Sequence, residues 1–383
     1  MPVGFVSLQE LRERAQEFGL DVGSSSAPPG PEKERLVQWL DAGNHAEMRW
    51  LERDPARRAD PRIVLEGARS VVSVGLNYFQ GDLPDPADRP TGLIARYALG
   101  DDYHDLLLTK VRSLAESLGD DLARPYVDTG PVLEKPRAQR AGLGWVGKHT
   151  NCVSRSHGSW WFLGDIITRT EVEPSEPHVD RCGTCTRCLD VCPTKAIRAD
   201  QPYRLDSRLC ISYLTIEHRG PIPRELRPLI GTWIYGCDLC LDVCPWNRFA
   251  EPTREERFRP RPELVHPPLE DLLGWDQATF SRVMKGSPIK RTKRRGLLRN
   301  VCVALGNAGD RGVVSALATC LATEHEPLVR GHAAWALGVL GGAEARRSLD
   351  SARNDEDAYV RSEVEAALDQ LPGPGVEAAP QPA

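Results

Sequence analysis

Apolar positions across 7–20 recur at helical spacing. Leu8, Leu11, Ala15 and Phe18 share one face, which predicts an amphipathic helix there. Ser7 and Glu10 stand three apart at its start, the spacing of a capping box. A second helix is expected after Pro31, running toward Trp50. Over 70–78 the pattern switches to β-branched residues in alternation, which predicts a strand. Residues 81–92 are rich in Pro and Asp and predict a loop. A helix over 101–119 follows, then a strand entering Tyr126, and 160–168 reads as a further buried strand. Positions 1–175 are therefore expected to form a mixed α+β domain.

The C-terminal third has a different rhythm. Arg299, Arg330 and Arg361 are 31 residues apart, each preceded by an apolar residue (Leu298, Val329, Val360). Leu305, Leu337 and Leu368 follow six to seven residues later. This period, in Ala/Leu-rich segments, predicts stacked helical pairs of the HEAT type over 260–372. Residues 373–383 are rich in Pro and Ala and are expected to be a disordered tail.

With 383 residues, 40% hydrophobic and 27% charged, the chain has the balance of a folded multidomain protein. No apolar run approaches the ~20 residues that cross a bilayer, and the N-terminal residues read directly as a helix. The expectation is a cytoplasmic protein with no membrane partner. In that compartment thiols stay reduced, so eleven cysteines need an explanation other than disulfides.

Eight of them lie between positions 182 and 244. Cys182, Cys185, Cys188 and Cys192, followed by Pro193, form the C-x2-C-x2-C-x3-C-P run of bacterial ferredoxins. Cys237, Cys240 and Cys244, followed by Pro245, repeat its ending without a first cysteine, and Cys210, 27 residues upstream, can replace it. In such runs the fourth cysteine serves the other cluster. Cys182, Cys185, Cys188 and Cys244 are thus expected to hold one [4Fe–4S] cluster, and Cys192, Cys210, Cys237 and Cys240 a second. Paired four-cysteine zinc sites are the alternative, but zinc usually joins one C-x2-C knuckle to a distant pair. A two-cluster ferredoxin-like domain is expected over 176–250. Cys302 and Cys320 read as buried apolar side chains.

The net charge of −5 hides a polarity. Residues 282–299 carry eight basic side chains and no acid, whereas 300–383 carry twelve acids against six bases. Basic density at the mouth of a helical array points to a polyanion. With no DNA-reading motif present, RNA is the expected partner, met by Lys290, Arg291, Lys293, Arg294, Arg295 and Arg299.

Several segments together resemble the tRNA epoxyqueuosine reductases. They are Arg-Ala-Asp-Pro at 58–61, Asp-Asp-Tyr-His-Asp at 101–105, Val-Asp-Thr-Gly-Pro-Val at 127–132 and Ala-Gly-Leu-Gly-Trp-Val-Gly-Lys-His at 141–149. The series continues with Gly-Ser-Trp-Trp-Phe-Leu-Gly at 158–164, both cysteine runs, Cys-Ile-Ser-Tyr-Leu-Thr at 210–215 and Gly-Ser-Pro-Ile-Lys-Arg at 286–291. The resemblance implies a nitroreductase-like N-terminal domain, related to that of reductive dehalogenases, which binds base-off cob(II)alamin. No D-x-H-x-x-G cobalamin signature is present, so cobalamin rests on the resemblance alone. The implied activity is reduction of the epoxide of epoxyqueuosine at the tRNA wobble position to queuosine, the last step of that pathway, by a monomer fed by an external electron donor.

The resemblance also implies roles for particular residues. Asp128 is expected to be the proton donor, a carboxylic acid with raised pKa shielded from water near the corrin. As a bare residue it reads equally well as a turn former before Thr129, Gly130 and Pro131. Arg58, Ala95, Asp128, Cys152, Leu163, Glu217 and Asp238 are the implied cobalamin-pocket positions. Lys148 and His149 suggest an acid–base pair, or a turn that contacts phosphate or amide groups. Two other functions share part of this pattern: an electron-transfer module on a helical scaffold, which leaves the N-terminal domain idle, and a dehalogenase-like enzyme, which has no use for the basic segment.

Overall fold

The computed structural model describes residues 4–371. The expected tail at 373–383 lies outside them. The chain divides into two compact units: 4–82 with 96–210 and 238–259, and 83–95 with 211–237 and 260–371.

The first unit is built on a four-stranded antiparallel sheet in the order Asp21–Ser26, Ser70–Asn77, Trp161–Thr168, Arg124–Tyr126. The two central strands are buried on both faces, so even their polar residues Ser70, Ser73, Asp165 and Thr168 are enclosed. On one face Val72, Val74, Leu76, Phe162 and Ile166 pack with Leu107, Val111 and Leu114 of the helix Tyr103–Ser117. On the other, Val71 and Ile167 pack with Ala27, Leu65 and Val132. At ~25 cal/mol per Å² of apolar area, burial on both faces makes these strands a large stabilising contribution to the unit.

The first helix is Leu8–Gln16. Ser7 Oγ accepts the Glu10 N–H at 3.2 Å, but the Glu10 carboxylate pairs with Arg14, so only half of the capping box forms. The helix stops early because Gly19 takes a left-handed φ of 68°, and the Leu20 N–H returns to the Ala15 carbonyl.

In the second unit, the helices Lys293–Ala308, Pro327–Leu340 and Ala358–Gln370 bury Leu305, Leu337 and Leu368. Val314–Thr323 and Ala343–Ser351 are the alternate helices. The arginine period has a physical cause in the last two repeats. Arg330 donates to the Glu324 and His325 carbonyls, and Arg361 to those of Asp355 and Glu356. Each guanidinium thus clamps the loop that leads into its own helix. Among the described residues, no helix is long and apolar enough to cross a membrane.

Candidate active site and cluster-binding segment

Asp128 follows the edge strand Arg124–Tyr126 at a tight turn, where the Thr129 N–H bonds the Val127 carbonyl at 2.6 Å. It adopts φ 57°, a left-handed conformation that Asp tolerates better than most residues. Its Oδ2 lies 3.1 Å from His104 Nε2, and the other ring nitrogen, Nδ1, lies 2.7 Å from Asp102 Oδ1. Asp102 also caps the helix Tyr103–Ser117, accepting the His104 N–H at 3.1 Å, so the helix start fixes the ring. Burial disfavours the imidazolium, but hydrogen bonds to Asp102 and Asp128 and their charges outweigh it, raising the His104 pKa to about 9. The expected dry carboxyl is not what surrounds Asp128: its side chain is 56% exposed and its neighbour is this imidazole. His104 was legible only as part of the 101–105 motif, because its pairing crosses 24 residues.

Arg58 supports the same turn, donating to the Gly130 carbonyl at 3.4 Å and to that of Trp50 at 3.0 Å. Lys135, at the start of the helix Glu134–Arg140, donates to Asn151 Oδ1 at 2.9 Å. The residue as a whole is exposed. Desolvation lowers its pKa, against the opposing influence of the nearby acidic groups Glu134, Cys152, Asp128 and Cys240. Cys152 is buried in a small apolar cluster with Ala138 and Trp161, against which Leu163 packs. Burial pushes the Cys152 thiol up to about 12, so it stays a thiol.

Asp238 is buried, and its Oδ2 accepts the Arg96 N–H at 2.6 Å; burial pushes it up to about 7. Asp238 and Cys240 are both close enough to Tyr78 to act on it electrostatically. The first unit therefore gathers Arg58, Asp128, Cys152, Leu163 and Asp238. Ala95 and Glu217 belong to the second unit, where the Ala95 N–H bonds the Tyr235 carbonyl and Glu217 Oε1 pairs with Arg291 at 2.5 Å.

Of the first expected cluster set, Cys188 is raised to about 11 by burial and then by the nearby Cys182, Cys185 and Cys244 thiols. Cys182, Cys185 and Cys244 thus lie close enough to Cys188 to act on it electrostatically, although Cys244 is 56 positions or more from the other three. The cysteine turn is held by Lys148, whose Nζ donates to the carbonyls of Gly183 (2.7 Å) and Cys185 (3.0 Å). His149 is buried, accepts the Asn151 N–H at 3.2 Å, and is held by burial at about 4. Lys148 and His149 thus make separate structural contacts rather than an acid–base pair.

The basic segment is only partly a surface. Lys290 and Lys293 are exposed and Arg295 is half-buried. Arg291 pairs with Glu217, and Arg294 forms a two-point pair with Glu324 (3.1 and 2.6 Å). Arg299 is 1% exposed and donates to the carbonyls of Leu214, His218 and Gly220. A guanidinium so enclosed cannot reach a phosphate, so Arg299 leaves the RNA-facing set.

Residues 58–129 match the family model "Epoxyqueuosine reductase QueG, DUF1730", 181–247 the 4Fe-4S double cluster binding domain, and 292–369 HEAT repeats. A sheet-based unit bearing the Asp128 turn, a double-cluster segment and a helical array define an iron–sulfur reductase. The chain is 42% identical over 341 residues to the epoxyqueuosine reductase of Xanthomonas campestris pv. campestris, covering 86% of this chain and 95% of that one. It is 41% identical over 348 residues to that of Escherichia coli K12, covering 87% and 90%. The chain belongs to the epoxyqueuosine reductase family.

Solved structures agree. One is an epoxyqueuosine reductase crystallised with an epoxyqueuosine-modified tRNA-Tyr stem loop (TM-score 0.89, 31% identity, covering 94% of this chain and 98% of that one). Another is the Bacillus subtilis enzyme with its catalytic aspartate loop swung out of the active site (TM-score 0.88, 31% identity, covering 95% and 98%).

Proposed function

We propose that this chain reduces the epoxide of epoxyqueuosine in a tRNA anticodon to the alkene of queuosine, with Asp128 protonating the departing oxygen. The observation that carries this is the Asp128 turn, which presents a carboxyl backed by His104, in a chain 41–42% identical to epoxyqueuosine reductases. The substrate's oxygen leaves as water, so a positioned acid is required as the C–O bond breaks.

Cobalamin fits the first unit. Two buried polar atoms close to the Asp128 turn, Arg58 Nε and Glu134 Oε1, have no hydrogen-bond partner among the described residues, and the corrin periphery carries amide groups that accept and donate hydrogen bonds. Arg58, Asp128, Cys152, Leu163 and Asp238 would hold it, with Ala95 and Glu217 as the remaining implied positions. When bound, cobalamin supplies a reducing cobalt centre for C–O cleavage. Cys182, Cys185, Cys188 and Cys244 would ligate one [4Fe–4S] cluster, and Cys192, Cys210, Cys237 and Cys240 the other, passing electrons from an external donor.

Lys290, Lys293 and Arg295 are the basic side chains best placed for tRNA phosphates, with Arg291 and Arg294 available by exchange of their carboxylate partners. The enzyme is read as a cytoplasmic monomer. The test is anaerobic purification, iron and cobalt analysis, and incubation with epoxyqueuosine-containing tRNA and a strong reductant. Queuosine formation with about eight irons per chain supports the reading; a cobalt-loaded, iron-replete protein that leaves the epoxide intact overturns it.

A further inference from the structure

We propose that His104 is the second proton store of the reaction, passing its Nε2 proton through the Asp128 carboxyl to the departing oxygen. The inference rests on the epoxide-reduction reading above and deepens it. Converting an epoxide to an alkene breaks two C–O bonds, forms the C=C bond, and releases the oxygen as water. The balance is two electrons, which the external reductant supplies, and two protons. The first proton converts the epoxide oxygen to a hydroxyl as one C–O bond opens. The second reaches the same oxygen as that hydroxyl departs as water. Asp128 by itself carries one proton.

The geometry supplies the other. His104 Nε2 stands 3.1 Å from Asp128 Oδ2, within hydrogen-bond reach, so a carboxylate that has just given up its proton can be refilled in place. Asp102 Oδ1, 2.7 Å from Nδ1, holds the opposite edge of the ring and compensates the imidazolium charge. The Tyr103 ring stacks on the imidazole, with centroids 4.0 Å apart and planes at 28°, which restrains it from turning away. Asp102 is itself locked as the cap of the helix Tyr103–Ser117. The charged groups facing the ring are thus two carboxylates, and Tyr103 covers it. Once Asp128 has given up its own proton, its carboxylate and that of Asp102 hold the ring as imidazolium, with a pKa of about 9, so the store is still loaded when the second proton is needed. His104 acts through Asp128, as a relay behind the acid that meets the substrate.

The test compares wild type with His104→Gln, His104→Ala and Asp102→Asn on epoxyqueuosine-containing tRNA, with iron content and the corrin spectrum checked for each. The relay predicts that His104→Gln keeps both cofactors and its KM while kcat falls about 100-fold. Added imidazole restores part of the rate of His104→Ala. Asp102→Asn, which leaves the histidine in place, moves the alkaline limb of the kcat profile to lower pH. Wild-type rates in His104→Gln overturn the relay, as does a kcat loss that imidazole does not relieve together with an unmoved alkaline limb in Asp102→Asn. A cofactor-replete wild type that converts no epoxyqueuosine overturns the functional reading and the relay together; a converting wild type with an unaffected His104→Gln overturns the relay alone.

Discussion

Ser73 Oγ donates to Asp165 Oδ1 at 2.6 Å between the two central strands, and buried Asp165 Oδ2 has no hydrogen-bond partner among the described residues. The two residues are directly opposite in the antiparallel register. Burial raises the Asp165 pKa from 3.8 to about 7, against the opposing hydrogen bond of Ser73 and the charge of Arg137. The folded state therefore holds a proton that the unfolded chain releases near pH 4, so stability falls as pH rises from about 4 to about 7 and stays lower above that. Asp165→Asn keeps the Ser73 hydrogen bond and removes the titration. Its thermal midpoint should exceed that of wild type by an amount that grows between pH 5.5 and 8, with a ceiling on the order of 4 kcal/mol. Parallel midpoints for the two proteins across that range would count against a raised Asp165.

Asp128→Asn should retain both clusters and cobalamin, seen as unchanged iron content and corrin absorbance, and form no queuosine. Full turnover in this variant would remove Asp128 from the role of acid.

The wild-type pH profile carries the signature of His104. Its folded pKa of about 9 lies above the ordinary value of 6.5, so the Asp102 and Asp128 contacts stabilise the protein fully below pH 6.5, and that contribution is lost as pH rises through about 9. The rate constant kcat should be level near neutrality and fall with a one-proton slope near pH 9. A fall centred near pH 6.5 would show that the two carboxylates do not hold the ring.

Charge reversal at Lys293 and Arg295 should weaken tRNA binding and reduce the slope of log affinity against log salt by about 0.7–0.9 for each phosphate no longer neutralised. Arg299→Ala should behave differently. It leaves the carbonyls of Leu214, His218 and Gly220 without their donor, so it should lower the thermal midpoint, with a stability loss of about 3 kcal/mol. An Arg299→Ala protein of wild-type stability would contradict its internal role.

Cys210→Ser should bring the iron count from about eight to about four per chain. An unchanged count would show that Cys210 lies outside the second ligand set.

What could be read along the chain was whatever local geometry controls. Within each run the cluster cysteines are three or four positions apart because a single turn must bring several thiolates to one cluster, so their spacing is itself the signal. The 31-residue arginine period was equally legible, because Arg330 and Arg361 each bind carbonyls five or six residues upstream in their own repeat. The turn at Asp128 belongs to the same class.

Contacts between distant segments were decided only by the folded chain. Arg291, Arg294 and Arg299 look alike in a basic run, yet partners 30 to 85 residues away separate them: Glu217 pairs with an exposed Arg291, Glu324 with a half-buried Arg294, and the Leu214 carbonyl helps to hold Arg299 inside. The same holds for His104 and Asp128, which carry no mutual pattern in the sequence and are joined by the packing of the helix Tyr103–Ser117 beside the edge strand. Local periodicity determined which residues could carry chemistry in this protein. Tertiary packing decided which of them are paired, because a long-range ion pair or hydrogen bond depends on where the core places two backbones and leaves no spacing to read.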